Sequence, residues 1–198
     1  MGAPRRRGRP AGAQTGADNS AVIVDAAREL LAQNGFEKTT MRAVAARAGV
    51  DPALIHHYFQ NKDRLVWEAL RPDLDPVEIF AGLHDAPSVG TEFLRRALRV
   101  WESDTARLER GVAVIRVAMT RDDIAEALRT FQFGMVESAL GSLIPPDDRD
   151  RRIALIVSQM LGLMVMRYVL SQPDITSASI DELAADLGPV IDLLVAGR

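Results

Sequence analysis

The sequence predicts an all-α protein in two parts, an N-terminal three-helix helix-turn-helix module and a C-terminal helical dimerisation domain. Three observations carry the helical and two-part expectation. The apolar residues are mostly Ala, Leu and Val, and few β-branched runs alternate at period two. Gly35, Gly49, Pro52 and Pro145-Pro146 fall at the ends of stretches with helical periodicity. Charge divides unevenly: residues 1–70 hold 10 Arg and Lys against 7 Asp and Glu, and residues 71–198 hold 14 against 20. A basic module on an acidic body points to an anionic partner for the module alone.

Residues 1–17 are Gly, Pro, Ala and Arg without periodicity, which predicts a disordered basic tail. The tail lacks the apolar stretch of a secretory signal. Residues 20–34 place Ile23, Ala26, Ala27, Leu30 and Leu31 on one face, with Asp18, Asn19 or Ser20 as cap and Gly35 as stop. Thr40 caps a second helix over 41–48, with Val44, Ala45 and Ala48 inward and Arg42 and Arg47 outward. Gly49 suits the left-handed position after it, and Val50 reads as a buried pivot. Asp51 caps a third helix and Pro52 takes its first position. Ile55 and Phe59, four apart, face the core, and the helix ends at Gln60-Asn61. Asn61 caps a fourth helix carrying Leu65, Val66, Ala69 and Leu70. Pro72 and Pro76 mark a boundary, giving a module over 18–71 and a body over 72–198.

In the body, helices are expected over 76–83, 91–102, 105–119 and 124–144, the last opened by a capping-box-like pair, Thr120 and Asp123. Residues 153–170 are apolar nearly all round. Ser158, Gln159 and Arg167 interrupt the run, which favours a buried soluble helix over a membrane span. Ser179 and Glu182 form a capping box. After it Ile180, Leu183, Leu187, Val190 or Ile191, and Leu194 recur at nearly 3.5 residues, a seam for another helix, with a kink expected at Gly188-Pro189. Residues 153–170 and 180–195 together predict a four-helix homodimer interface.

Two short helices joined by Gly49-Val50-Asp51 form a helix-turn-helix. The second of the pair can enter a major groove, which admits an α-helix and displays distinct base edges. Ala53 allows close approach, and Leu54 can touch a thymine methyl. His56, His57 and Tyr58 have donors for phosphates or base edges. Thr40 and the free N–H groups of the second helix can receive a phosphate, and Lys62 can add another contact. The expected DNA-contacting set is therefore Thr40, Arg42, Asp51, Pro52, Ala53, Leu54, His56, His57, Tyr58 and Lys62.

The stretch TTMRAVAARAGVDPALIHHYFQNKDRL resembles the DNA-binding module of the tetracycline-repressor (TetR) family of bacterial regulators. The matching pattern runs from Gly35-Phe36 through Thr40, Val44-Ala45, Ala48-Gly49-Val50, Ile55, Tyr58-Phe59, Lys62 and Leu65, and covers roughly residues 20–70. The resemblance implies a cytoplasmic homodimer that binds a palindromic double-stranded DNA operator. It implies release, and so relief of repression, when a small molecule enters the body. The family often has Tyr where this chain has His56, and Gly or Thr near Ala53, so the operator sequence is its own. Phosphate beside His56 favours the protonated imidazole, and operator affinity is expected to fall as pH rises through about 6.5–7.5. The tail segment RRRGRP can reach a minor groove or track phosphates; its deletion is then expected to flatten the salt dependence of binding.

The implied effector pocket has as candidate lining residues Trp101, Met119, Phe131, Met135, Met164 and Tyr168. Such a lining suits a hydrophobic or aromatic effector. Arg116 and Arg167 can pair with an anionic group of that effector, or with Glu137 or Asp186. Other chemistry finds no foothold. The chain has no cysteine, no phosphate-binding glycine loop, no nucleophile elbow and no His-Glu-x-x-His pattern. His56 and His57 are adjacent and point about 100° apart on a helix, a poor chelate. No metal, cofactor, enzymatic activity or membrane partner is expected.

Overall fold

A computed structural model describes residues 14–197, and every regular element among them is helical. The described residues fall into two compact units divided between Ala69 and Leu70.

The first unit begins with α1, Gln14–Lys38. It starts several residues before the expected cap at 18–20, so residues 14–17 are helical rather than part of a tail; the rest of the tail lies outside the described residues. Ile23, Ala26, Ala27 and Leu31 are buried. Gly35 (φ 72°, ψ 179°) leaves helical geometry, a conformation open to glycine, and ends the regular part of α1. The Thr39 hydroxyl, buried, donates to the Gly35 carbonyl at 2.8 Å and ties down the turn. The next helix, α2, is Met41–Ala48, and α3 is Pro52–Phe59. Between them Gly49 is left-handed (φ 68°) and its N–H returns to the Ala45 carbonyl. Val50 is half-exposed rather than a buried pivot, because its N–H also bonds the Ala45 carbonyl and holds the turn near the surface. The helix α4, Lys62–Leu70, is capped by Asn61, whose Oδ1 accepts from the Arg64 N–H at 2.8 Å. Arg28 donates from Nε to the Ala69 carbonyl, which joins α1 to the end of α4.

The second unit opens with a single turn, α5, Pro76–Ile79, followed by a 3-10 turn at Leu83–Asp85. The expected helix over 76–83 therefore breaks in two; Gly82 is left-handed (φ 68°) at the junction. Next come α6 (Val89–Glu102), α7 (Thr105–Ala118) and α8 (Asp122–Leu140). Ser88 caps α6, which begins two residues ahead of the expected start. The Thr120–Asp123 box does not form; the Thr120 hydroxyl donates back to the Val117 carbonyl, and Arg121 takes the cap position without capping the helix through its side chain. The helix α9 is Arg149–Met164 and runs into a π-helical turn, Val165–Val169. A short α10, Pro173–Ser177, was not expected from the sequence; α11, Ile180–Ala196, closes the chain. The Ser179–Glu182 capping box is present in both directions. Pro189 lies inside α11 without dividing it, and the carbonyl it leaves unbonded belongs to Ala185 on the exposed side.

The core of this unit gathers Leu94, Leu98, Leu140, Ile153, Ile156 and Ile191, all nearly fully buried. Its tightest pairing is α6 with α11. A Cβ on Gly188 would fall on Thr91, and one on Gly90 would fall on the Gly188 carbonyl, so the two backbones approach without side chains between them. Asp192 on α11 accepts from the Ser88 hydroxyl (2.6 Å) and the Gly90 N–H (2.7 Å), placing a carboxylate on the start of α6. Arg95 of α6 bridges Asp181 at 2.7 Å toward the start of α11. The expected α11 seam is thus partly consumed within the chain: Leu183 and Ile191 are buried here, while Val190 and Leu193 remain exposed. Residues 149–169 form a helix long and apolar enough to cross a membrane, yet only 28% of that stretch is buried. Leu155 and Met166 are exposed on it, and Leu170 is exposed just beyond its end.

Candidate nucleic-acid interface and ligand cavity

The helix α3 is held from behind and open in front. Ile55 and Phe59 are 0% and 4% exposed, whereas Pro52, Ala53, His56 and His57 are exposed and Leu54 and Tyr58 are half-exposed. Both short helices start from side-chain caps. The Thr40 hydroxyl accepts from the Ala43 N–H (3.1 Å), and Asp51 Oδ1 accepts from the Ala53 N–H (2.7 Å). Asp51 is thereby committed to shaping the helix. Arg42 is exposed at the start of α2. Arg47 is not free beside it, since it pairs with Glu29 of α1. Lys62 lies 4.0 Å over the Phe36 ring and 3.5 Å from the Glu37 carbonyl, which anchors α4 to the end of α1.

The end of α3 sets the state of His56. Gln60 takes a left-handed φ of 61° and turns its carbonyl toward the imidazole, 3.2 Å from Nδ1. A carbonyl can only accept, so Nδ1 carries the hydrogen. In the neutral ring Nε2 is then an acceptor; only the imidazolium donates from it. Beside it, the rings of His57 and Tyr58 meet edge to face at 5.4 Å.

The second unit contains a cleft of about 600 Å³, counting space open to solvent, between α5, α6, α8 and α9. Four of the six expected lining residues meet there: Trp101, Phe131, Met135 and Met164. Met119 does not; it is 65% exposed, because α7 ends at Ala118 and Met119 falls at the helix cap. Tyr168 also stands outside the lining. The π-helical turn directs its hydroxyl to Glu102, to which it donates at 2.8 Å. Burial, and after it that carboxylate, hold the phenol protonated far above the ordinary tyrosine range. Arg167 bridges the same Glu102 at 2.9 Å and donates to the Ile175 and Ala178 carbonyls, so its partner is neither Glu137 nor Asp186. Arg116 is exposed on α7.

Two features of the cleft were missed in the sequence. Phe80 and Phe93 stack at 4.9 Å and form one wall, although 13 residues separate them. Gln132 supplies the one amide in the lining; a polar residue between Phe131 and Phe133 was the available signal. The outer edge of the Trp101 six-membered ring meets Gly111 of α7, where any Cβ would overlap it. Among the described residues no group of three or more His, Asp or Glu could hold a metal ion.

Comparison with known proteins covers both units. Residues 23–69 match the family described as bacterial regulatory proteins, tetR family, and residues 88–195 match the tetracyclin repressor-like C-terminal domain. The HTH-type transcriptional regulator BetI of Brucella melitensis is 27% identical over an alignment of 175 residues, gaps included, that covers 79% of this chain and 83% of that protein. A TetR-family regulator from Streptomyces coelicolor superposes with a TM-score of 0.67 at 28% identity, covering 96% of this chain and 99% of that one. NalD of Pseudomonas aeruginosa, the secondary repressor of the MexAB-OprM multidrug efflux pump, shares the fold at 18% identity with a TM-score of 0.61, over 90% of this chain and 95% of NalD. The helix-turn-helix, the helical body behind it and these matches over both lead to one assignment: the chain belongs to the TetR family and is a DNA-binding transcriptional regulator.

Proposed function

We propose that the protein is a homodimeric repressor that reads a palindromic operator with α3 and lets go when a small molecule fills the cleft. The observation that carries the DNA part is the surface of α3: two core anchors behind, and Ala53, Leu54, His56, His57 and Tyr58 presented in front. Eight residues suffice, since only about one helical turn faces the bases when such a helix enters a major groove. Thr40, Arg42 and Lys62 are proposed to meet backbone phosphates, and Asp51 and Pro52 to shape the entry of α3. A DNA target implies the cytoplasm, and the regulator role calls for no enzymatic chemistry.

The release part rests on the cleft. Leu74 lines it and stands four residues beyond the end of α4. An effector there touches the segment that continues from the DNA-reading unit, which gives occupancy a route to affinity. The dimer reading rests on the exposed apolar residues of α9, the π-helical turn and α11, which a second copy would cover within 153–170 and 180–195.

Fluorescence anisotropy of the purified protein tests the reading, using a duplex from upstream of its own gene and a scrambled control. Selective binding that weakens steeply with salt is expected. Equal weak binding to both duplexes, and to any duplex selected from a random pool, refutes it.

A further inference from the structure

The cleft also carries information about what enters it. Its lining is apolar except for the Gln132 amide and the indole N–H of Trp101, and no charged side chain faces it. Charges on α6 and on the π-helical turn after α9 are committed elsewhere. Arg96 pairs with Glu92 and donates to the Ala81 carbonyl. Arg167 and Glu102 neutralise each other, with the Tyr168 hydroxyl on the same carboxylate oxygen. A ligand carboxylate would find no guanidinium, and a ligand ammonium no carboxylate. A buried charge without such a partner is costly. Phe80 and Phe93 turn their faces to each other, which takes two of the lining aromatics out of any cage for a cation. A cation bound by aromatic faces alone needs several of them open to it.

Gln132 is different. Its side chain makes no hydrogen bond to any described residue, so its donor and acceptor are both available to a ligand. The thioethers of Met135, Met160 and Met164 let the remaining wall adapt in shape.

We propose that the effector of this regulator is an uncharged, mainly apolar molecule whose one hydrogen-bonding group is met by Gln132. The proposal rests on the cleft being the effector site. Titration calorimetry on the full-length protein tests it with three probes sharing one ring system: 2-naphthol, 2-naphthoate and 2-naphthylmethylammonium. Three chains are compared: the native protein, Gln132→Leu and the cleft-filling Met160→Trp, each checked for native helicity by circular dichroism. Naphthol is expected to bind at least thirtyfold more tightly than either charged probe, to weaken about tenfold in Gln132→Leu, and to be lost in Met160→Trp. A charged probe that binds as well as naphthol, and is lost in Met160→Trp, overturns the uncharged class but keeps the cleft as the site. Naphthol binding unchanged in Met160→Trp, or absent at millimolar concentration in the native protein, overturns the cleft reading itself. Equal naphthol affinity in Gln132→Leu removes the assigned role of the amide.

Discussion

At the scale of single residues, two positions decide more than their neighbours. His56 is one. With Nδ1 given to the Gln60 carbonyl, Nε2 can offer a proton to phosphate or to a guanine edge only as imidazolium. A proton on Nε2 adds a donor and a positive charge against the DNA, so His56 is expected to carry one charge-assisted contact, worth about tenfold in affinity. His56→Ala should lower operator affinity by that factor when binding is followed by anisotropy; unchanged affinity would remove the contact. Gly111 is the other. Alanine in a helix interior gains about 1 kcal/mol over glycine, but here its Cβ would fall on the Trp101 ring. Displacing a packed ring costs about 1–3 kcal/mol, and the ring is also a wall of the cleft. Gly111→Ala should therefore lower the melting temperature and weaken probe binding together.

At the scale of elements, the α6–α11 pair governs the body. Backbone approach at Gly90 and Gly188 leaves no space for a methyl group, and Thr91 meets it with backbone atoms that cannot rotate away. Gly188→Ala is expected to destabilise by about 2 kcal/mol or more, since the two helices must part along a buried seam. Gly134 on α8 supplies the control: nothing lies within 4 Å of a Cβ built there. Gly134→Ala should stabilise by up to about 1 kcal/mol. Urea denaturation of both variants measures the contrast; equal effects of the same sign would mean the helices are not in contact at Gly188. The Asp192 carboxylate at the start of α6 reinforces the same seam, with hydrogen bonds to Ser88 and Gly90 that bridge about a hundred residues of sequence.

At the scale of the whole molecule, charge and exposed apolar surface point to partners. The excess of basic residues in the N-terminal part resides in the tail: Arg5, Arg6, Arg7 and Arg9 belong to it, and residues 18–70 hold 6 basic against 7 acidic side chains. Most non-specific attraction to DNA should therefore follow the tail. Deleting residues 1–12 should reduce the slope of log affinity against log salt by up to about 3–4, measured on one operator duplex. The proposed second copy has a comparable test. Leu193 is 54% exposed among apolar neighbours on α11. Leu193→Glu should give a monomer by light scattering and lower operator affinity by about a hundredfold or more, because two linked half-site contacts become one. A dimer of unchanged affinity would exclude this face.

The sequence by itself determined the helices whose ends have local chemistry. Thr40, Gly49, Asp51-Pro52, Asn61 and the Ser179–Glu182 box act within four residues of the backbone they satisfy, so α2, α3, α4 and α11 were legible with nearly correct ends. The same locality made α3 legible as a reading head, because Ile55 and Phe59 share a face at a spacing of four. Where local signals were weak or competed, tertiary structure decided. Thr120 found a carbonyl behind it rather than a helix ahead. Residues 165–169 took a π-helical turn, in which Arg167 and Tyr168 meet Glu102 from more than sixty residues away. The cleft was only partly visible for the same reason. Helical periodicity separates inside from outside, but not a residue that fills a core from one that lines an opening. Which large side chains meet the cleft depends on how α5, α6, α8 and α9 pack, and that packing turned Tyr168 to a carboxylate and left Gln132 unpaired among apolar walls.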